Sequence, residues 1–257
     1  MKADYTQEDI VAALRKAGLC DGDAVFLHSN LAFFGRCDGV QDADGLCRVF
    51  FETFQDILGE KGTLVVPTFT YSYCRGEIFD VEHTVSKMGI FPEWVRKNNR
   101  ALRSRDPNFS VTAVGALAEY LTENCPEHSF GKDSFWERLE QLDGKICCMN
   151  FDAGTTFIHY VEKKAGVPYR FDKAFYGTTV SQGRRIESVA YHFCASQKTN
   201  EDENEMVRLH QLCIEHGIAR IEKLGKGLVL VESTKRLDEF VRNTLKIRPR
   251  FLCKREF

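Results

Sequence analysis

The chain has 257 residues with 35 basic and 37 acidic side chains, a formal net charge of −2. That balance argues against nucleic-acid binding, which shows a basic excess on some face, and it gives no general field for capturing a polycation. A hydrophobic fraction of 43% suffices for a sizeable core, no apolar run has the length of a membrane span, and the polar start MKADYTQEDI does not read as a signal peptide.

In chain order, residues 6–17 place Ile10, Val11 and Leu14 at helical spacing, with Thr6 and Asp9 spaced as a cap. A strand is expected over 22–29, an amphipathic helix over 43–58 and a very apolar strand over 62–70. The loop that follows is rich in Tyr, Asp, Glu and His, and is too long to be a mere connector. Next come a short helix at 89–99, an extended segment within 100–115, helices at 116–125 and 134–142, and the strand KICCM. The segment "NFDAGTTFIHYVEKK" (150–164) then opens a helix from about Thr155, strand-like alternation covers 184–193, and a helix over 205–217 ends at Gly. Paired strands within 218–233 and a final helix complete the chain. The pattern predicts an α/β fold with a central mixed β-sheet flanked by helices, as one domain over 1–257.

The ten cysteines, at 20, 37, 47, 74, 125, 147, 148, 194, 213 and 253, show no CxxC and no Cys/His ligand spacing. With no export signal they are expected as reduced thiols in the cytoplasm, and no metal site is expected.

Three expected strands end in polar residues, at 26–35, 66–73 and 148–159, and carry His28, Ser29, Thr68, Thr70, Thr156 and His159. Ligands bind outside such strand ends in open α/β sheets. Thr156 and His159 are three apart and share a helix face, which Glu162 continues. First-turn amides, a hydroxyl and an imidazole at one corner can oppose developing negative charge. The plainer alternative is a cap at Thr155 with a half-buried, hydrogen-bonded His159, and the stretch by itself favours that.

Six segments tip the balance: "LHSNLAFFG" (27–35), "GTLVVPTFT" (62–70), "HTVSKMGIFPEWVR" (83–96), "RSRDPNFSVTAVG" (103–115), "LDGKICCM" (142–149) and "TTFIHYVE" (155–162). In this order and spacing the chain resembles the aminoglycoside 3-N-acetyltransferase family over nearly its whole length, and the tail over 216–233 also fits. The resemblance implies acetyl transfer from acetyl-CoA to an amine on a sugar ring, without metal. By motif, His159 is the implied general base, Thr156 the hydroxyl beside the thioester, and Glu93 a carboxylate that orients the histidine or contacts substrate. His28, Ser29, Phe33, Phe34, Gly35 and Thr68 are implied at CoA, and Thr70, Tyr71, Asp106 and Asp152 at the acceptor.

The family's Gly-x-Gly-His before the threonine is replaced here by Met149, Asn150, Phe151 and Asp152, and its His-Pro by Asp106-Pro107. Basic segments at 96–105 and 167–173 suit phosphates, so the expected acceptor is a nucleotide-linked biosynthetic amino sugar. An aminoglycoside drug is the alternative, favoured by the acidic run over 201–205. A metal-dependent hydrolase using Asp80, His83, Asp152 and His159, or a binding protein without catalysis, stands behind these. No nucleic-acid or membrane partner is expected, and a homodimer is left open.

Overall fold

The computed structural model describes residues 2–151, 156–196 and 204–255. A seven-stranded sheet runs in the order β4(Leu102–Arg103), β5(Val111–Gly115), β2(Thr63–Pro67), β1(Ala24–Ser29), β6(Lys145–Met149), β10(Gly227–Ser233), β9(Ala219–Leu224). The central β2, β1 and β6 are parallel, and the remaining pairings are antiparallel. A second sheet pairs β3(Phe79–Asp80), β7(Arg170–Ser181) and β8(Arg184–Ala195). The mixed, helix-flanked sheet expected from the pattern is therefore present.

The central strands are buried on both faces, which is why they read as unbroken apolar runs. Phe26, Val65, Ile146 and Cys148 pack to one side of the sheet with Trp136 and Phe157. Val25, Leu27, Leu64, Val66, Cys147 and Met149 pack to the other with Phe34, Phe50 and Phe54. Cys147 and Cys148 thus point to opposite faces, each as a small buried hydrophobe.

The first helices start where local chemistry dictates. Before α1(Gln7–Ala17), Thr6 Oγ1 accepts from the Asp9 amide while Asp9 accepts from the Thr6 amide, the reciprocal cap expected. Asp42 caps α2(Ala43–Leu58) by accepting from Gly45 N at 2.8 Å. α3(Ile90–Arg96), α4(Ala118–Thr122) and α5(Phe135–Gln141) follow, then α6(Phe157–Ala165), α7(Met206–Glu215) and α8(Thr234–Ile247).

The difference from expectation is β7. Most of its residues are half-buried or exposed, so no burial pattern marks it as a strand. It is held by twelve register pairs to β8, from Arg170↔Ala195 to Ser181↔Arg184. The turn between them, Gln182 and Gly183, has φ of 50° and 72°, suiting a tight hairpin.

Phe34 corrects one expectation: it lies in the core, stacked 6.0 Å from Phe50 and edge-on to Tyr5. Phe34→Ala is expected to cost about 3–5 kcal/mol of unfolding free energy in a denaturant titration. A loss below about 1 kcal/mol would mean that the ring is not core.

Candidate active site

From β1 the chain passes through α2 to β2 on one side and later takes up β6 on the other. The carboxyl ends of β1 and β6 therefore flank a switch point, where open α/β sheets leave a crevice. Asn150 holds this corner in a left-handed conformation, φ 59°. Its Nδ2 donates to Asn30 O at 3.1 Å and its Oδ1 accepts from Leu228 N at 3.0 Å, tying the ends of β6, β1 and β10. At the end of β1, His28 Nε2 and Ser29 Oγ are buried with no hydrogen-bond partner among the described residues. Burial lowers the His28 imidazole to about 4, so it is neutral at physiological pH.

Helix α6 carries the expected Thr156 and His159. Thr156 stands at its N-cap position in a helical conformation, and its side chain makes no capping bond. His159 Nδ1 lies 2.9 Å from Glu162 Oε2, one turn along. The Glu162 side chain is fully buried, while His159 keeps 24% of its side-chain surface. An ionised carboxylate can only accept, so Nδ1 carries the proton in this contact, and in the neutral ring Nε2 holds the lone pair.

Glu162 is heavily bonded. Its Oε1 accepts from Tyr169 Oη at 3.0 Å and from Asn204 Nδ2 at 3.1 Å. Arg170 Nε lies 2.8 Å from Oε2. Burial pushes this carboxyl up, but the His159 bond, the charges of His159 and Arg170 and the Tyr169 hydroxyl outweigh it and hold the group below its ordinary value.

An aromatic wall extends from the histidine. Phe130 stands edge-on to His159 at 5.5 Å and 4.8 Å from Phe109, which contacts Tyr71 and His192 at 5.2 and 4.7 Å. His192 Nδ1 sits 3.5 Å from Cys74 Sγ. Burial, reinforced by the charges of His159, Arg170 and Lys173, lowers His192 to about 4.

Several expected site residues have other duties. Thr68 and Thr70 are fully buried, their hydroxyls donating to Ser110 O at 3.1 Å and Pro107 O at 2.7 Å; they pin the loop after β2 to the segment before β5. Glu93 does not orient His159: it pairs with Arg96 at 2.7 Å and accepts from Ser86 N at 2.9 Å. Burial opposes ionisation of Glu93, yet the Arg96 and Ser86 hydrogen bonds hold it down to about 2. Asp106 Oδ1 accepts from the amides of Asn108 and Phe109, closing a turn, and burial raises it. Tyr71 belongs to the wall, and Phe33 is 64% exposed beside the β1 corner. Gly35 has φ 88°, and a Cβ there would strike the Asp4 carboxylate. Asp152, Thr155 and most of the acidic run over 201–205 lie outside the described residues.

Two of the arginines offered for phosphate are also engaged. Arg96 donates to Glu82 O, and Arg103 to Val81, Thr84 and Thr68 carbonyls. Among the described residues no three His, Cys, Asp or Glu side chains converge to hold a metal, so Asp80, His83 and His159 do not form one site. Two surface cavities, of about 460 Å³ around Leu102 and Gln182 and 590 Å³ around Tyr120 and Gln141, do not have His159 in their walls; size alone does not find this site. Tyr169, Asn204, Phe130 and His192 carry no sequence signal for this corner, and Arg170 reads only as part of a basic segment, since only tertiary contact joins them to α6. The spacing of Glu162 from His159 was the available signal for the carboxylate.

Comparison with known proteins gives the family and the fold. The profile of the family described as aminoglycoside 3-N-acetyltransferase matches residues 26–246. Aminoglycoside N(3)-acetyltransferase VII of Streptomyces paromomycinus is 27% identical over 184 residues, 63% of this chain and 62% of that protein. Aminoglycoside N(3)-acetyltransferase IX of Micromonospora chalcea is 26% identical over 203 residues, 70% of each. The fold is that of aminoglycoside acetyltransferase AAC(3)-Xa, with TM-score 0.81, 21% identity and coverage of 94% of this chain and 92% of that one. It is equally that of AAC-IIIb in a binary complex with CoASH, with TM-score 0.82, 20% identity and coverage of 95% and 97%. The chain belongs to the aminoglycoside 3-N-acetyltransferase family.

Proposed function

We propose that this chain, acting as one domain, transfers acetyl from acetyl-CoA to an amino group of an aminoglycoside. The observation that carries the reading is the imidazole of His159, held by a fully buried carboxylate at the start of α6, beside the switch point of the sheet. The acceptor class is supported by the family and its relatives. The case for a nucleotide-linked sugar rested on two basic segments, and Arg96, Arg103 and Arg170 within them are engaged inside the protein.

A sugar amine titrates near a peptide α-amine, about 8, so much of it is protonated at neutral pH. It must lose a proton to attack a carbonyl. His159 Nε2 receives that proton, and Glu162 fixes the tautomer and steadies the imidazolium that results. Negative charge gathers on the oxygen of the acetyl group and then on the departing sulfur. The Thr156 hydroxyl and the first-turn amides of α6 would oppose it. His28, Ser29, Phe33 and Gly35 would border CoA; the unpartnered His28 Nε2 and Ser29 Oγ fit a polar ligand there. The acetyl thioester is what that co-substrate supplies. Tyr71, with Phe109 and His192, would wall the acceptor.

Thiol release from acetyl-CoA is expected with aminoglycosides and not with nucleotide-linked amino sugars; the reverse pattern would discard the acceptor assignment. His159→Ala should lower kcat roughly 10²–10⁴-fold while acetyl-CoA binding persists. Turnover equal to the wild type would remove the base role.

Because the folded-state carboxyl of Glu162 lies below its ordinary value of 4.5, its stabilising contribution is present above pH 4.5 and fades as pH falls through the folded value. Glu162→Gln should flatten the dependence of unfolding free energy on pH over that acid range. An unchanged acid slope in the variant would contradict the assignment.

A further inference from the structure

We infer that Arg170 is a positioning residue that sets the pH at which His159 can accept a proton, by sharing the carboxylate of Glu162. The inference rests on the base role proposed for His159. One oxygen, Oε2, lies 2.9 Å from His159 Nδ1 and 2.8 Å from Arg170 Nε. The Arg170 side chain is 7% exposed and Glu162 is fully buried, so little water screens the contact.

Among the described residues the Arg170 Nε–H has no aligned hydrogen-bond acceptor despite this short approach. The contact is therefore chiefly charge on charge. The guanidinium takes its direction elsewhere: one terminal nitrogen donates to Asn204 Oδ1 at 2.5 Å and the other reaches Phe193 O at 3.5 Å. Asn204 in turn donates to Glu162 Oε1. Arginine, asparagine and carboxylate thus form a closed ring, which the imidazole and the Tyr169 hydroxyl join at the carboxylate.

The physical consequence concerns proton affinity. A lone carboxylate beside an imidazole strongly favours the imidazolium, and a base already protonated at neutral pH cannot take a proton from an amine. A cation on the same oxygen cancels much of that bias and leaves the orienting hydrogen bond in place. The other groups that face the pair do not duplicate this. Lys163, on α6, is neutralised by Asp172 of β7 at 2.7 and 2.8 Å. Tyr169, just before β7, is a neutral donor to Glu162, and Arg250 and Cys253 of the C-terminal segment act on that phenol. His192 of β8, kept neutral by burial, feels the charges of His159, Arg170 and Lys173.

The test is the pH dependence of kcat/KM for thiol release, run with Arg170→Met, Arg170→Gln and Arg170→Lys. The neutral variants are expected to lose activity at higher pH than the wild type as pH falls, by about one unit. Arg170→Lys should keep the wild-type limb, and the KM for acetyl-CoA should hardly move in any of them. A lower kcat with an unmoved acid limb in both neutral variants would make Arg170 merely structural and overturn the inference.

Should the neutral variants not fold, the pair Glu162→Gln and Glu162→Gln/Arg170→Met decides. The single change leaves Arg170 uncompensated and should displace the limb to lower pH; the double change should return it. Coincident limbs in the two proteins would overturn the inference. NMR titration of the His159 ring, assigned with His159→Gln, gives the same comparison without any acceptor. A wild-type protein that transfers acetyl to no amine would therefore defeat the proposed function, while the ring titration still decides the role of Arg170.

Discussion

A carboxylate with no exposed surface has to be paid for by partners, and Glu162 has four of them: His159, Tyr169, Asn204 and Arg170. This constraint organises the far end of the molecule. It binds α6 to the first residues of the β7–β8 hairpin and to the segment that leads into α7. Leaving one member of such a pair unmatched in the interior typically costs about 3–5 kcal/mol. The orientation of His159 is thus enforced by the stability of its surroundings, and a stray rotamer of this imidazole would expose that cost.

The second constraint is the sheet. Parallel strands covered on both faces bring the ends of β1 and β6 side by side, and Asn150 secures them through its own amide. Gly227 lies so close that a Cβ there would strike the Asn150 side chain. A left-handed asparagine at a strand end is a local distortion that its two hydrogen bonds sustain. The polar corner of His28 and Ser29 and the start of α6 follow from that junction.

The polar residues of the loops divide by what surrounds them. Thr68, Thr70, Asp106, Glu93, Arg96 and Arg103 satisfy carbonyls, amides and one another, and so keep an irregular region from leaving backbone groups unpaired. Tyr71, Phe109, Phe130 and His192 form the wall that meets His159. The two groups therefore do different work, one satisfying backbone groups and one packing as aromatic rings towards His159.

Periodicity and caps were enough to determine α1, α2 and the central strands, because apolar spacing and a Thr–Asp or Asp cap act within a few residues. The His159–Glu162 spacing was equally visible, since both sit on one face of a single helix. β7 was not, because mostly exposed residues held by register to a neighbouring strand carry no burial signature. Nor could the sequence tell that Phe34 faces the core, that Glu93 serves Arg96, or that Arg170 shares an oxygen with the imidazole. Those outcomes depend on which distant surfaces meet. Local chemistry placed the histidine and its carboxylate on a helix; only tertiary packing buried the carboxylate and supplied the cation beside it.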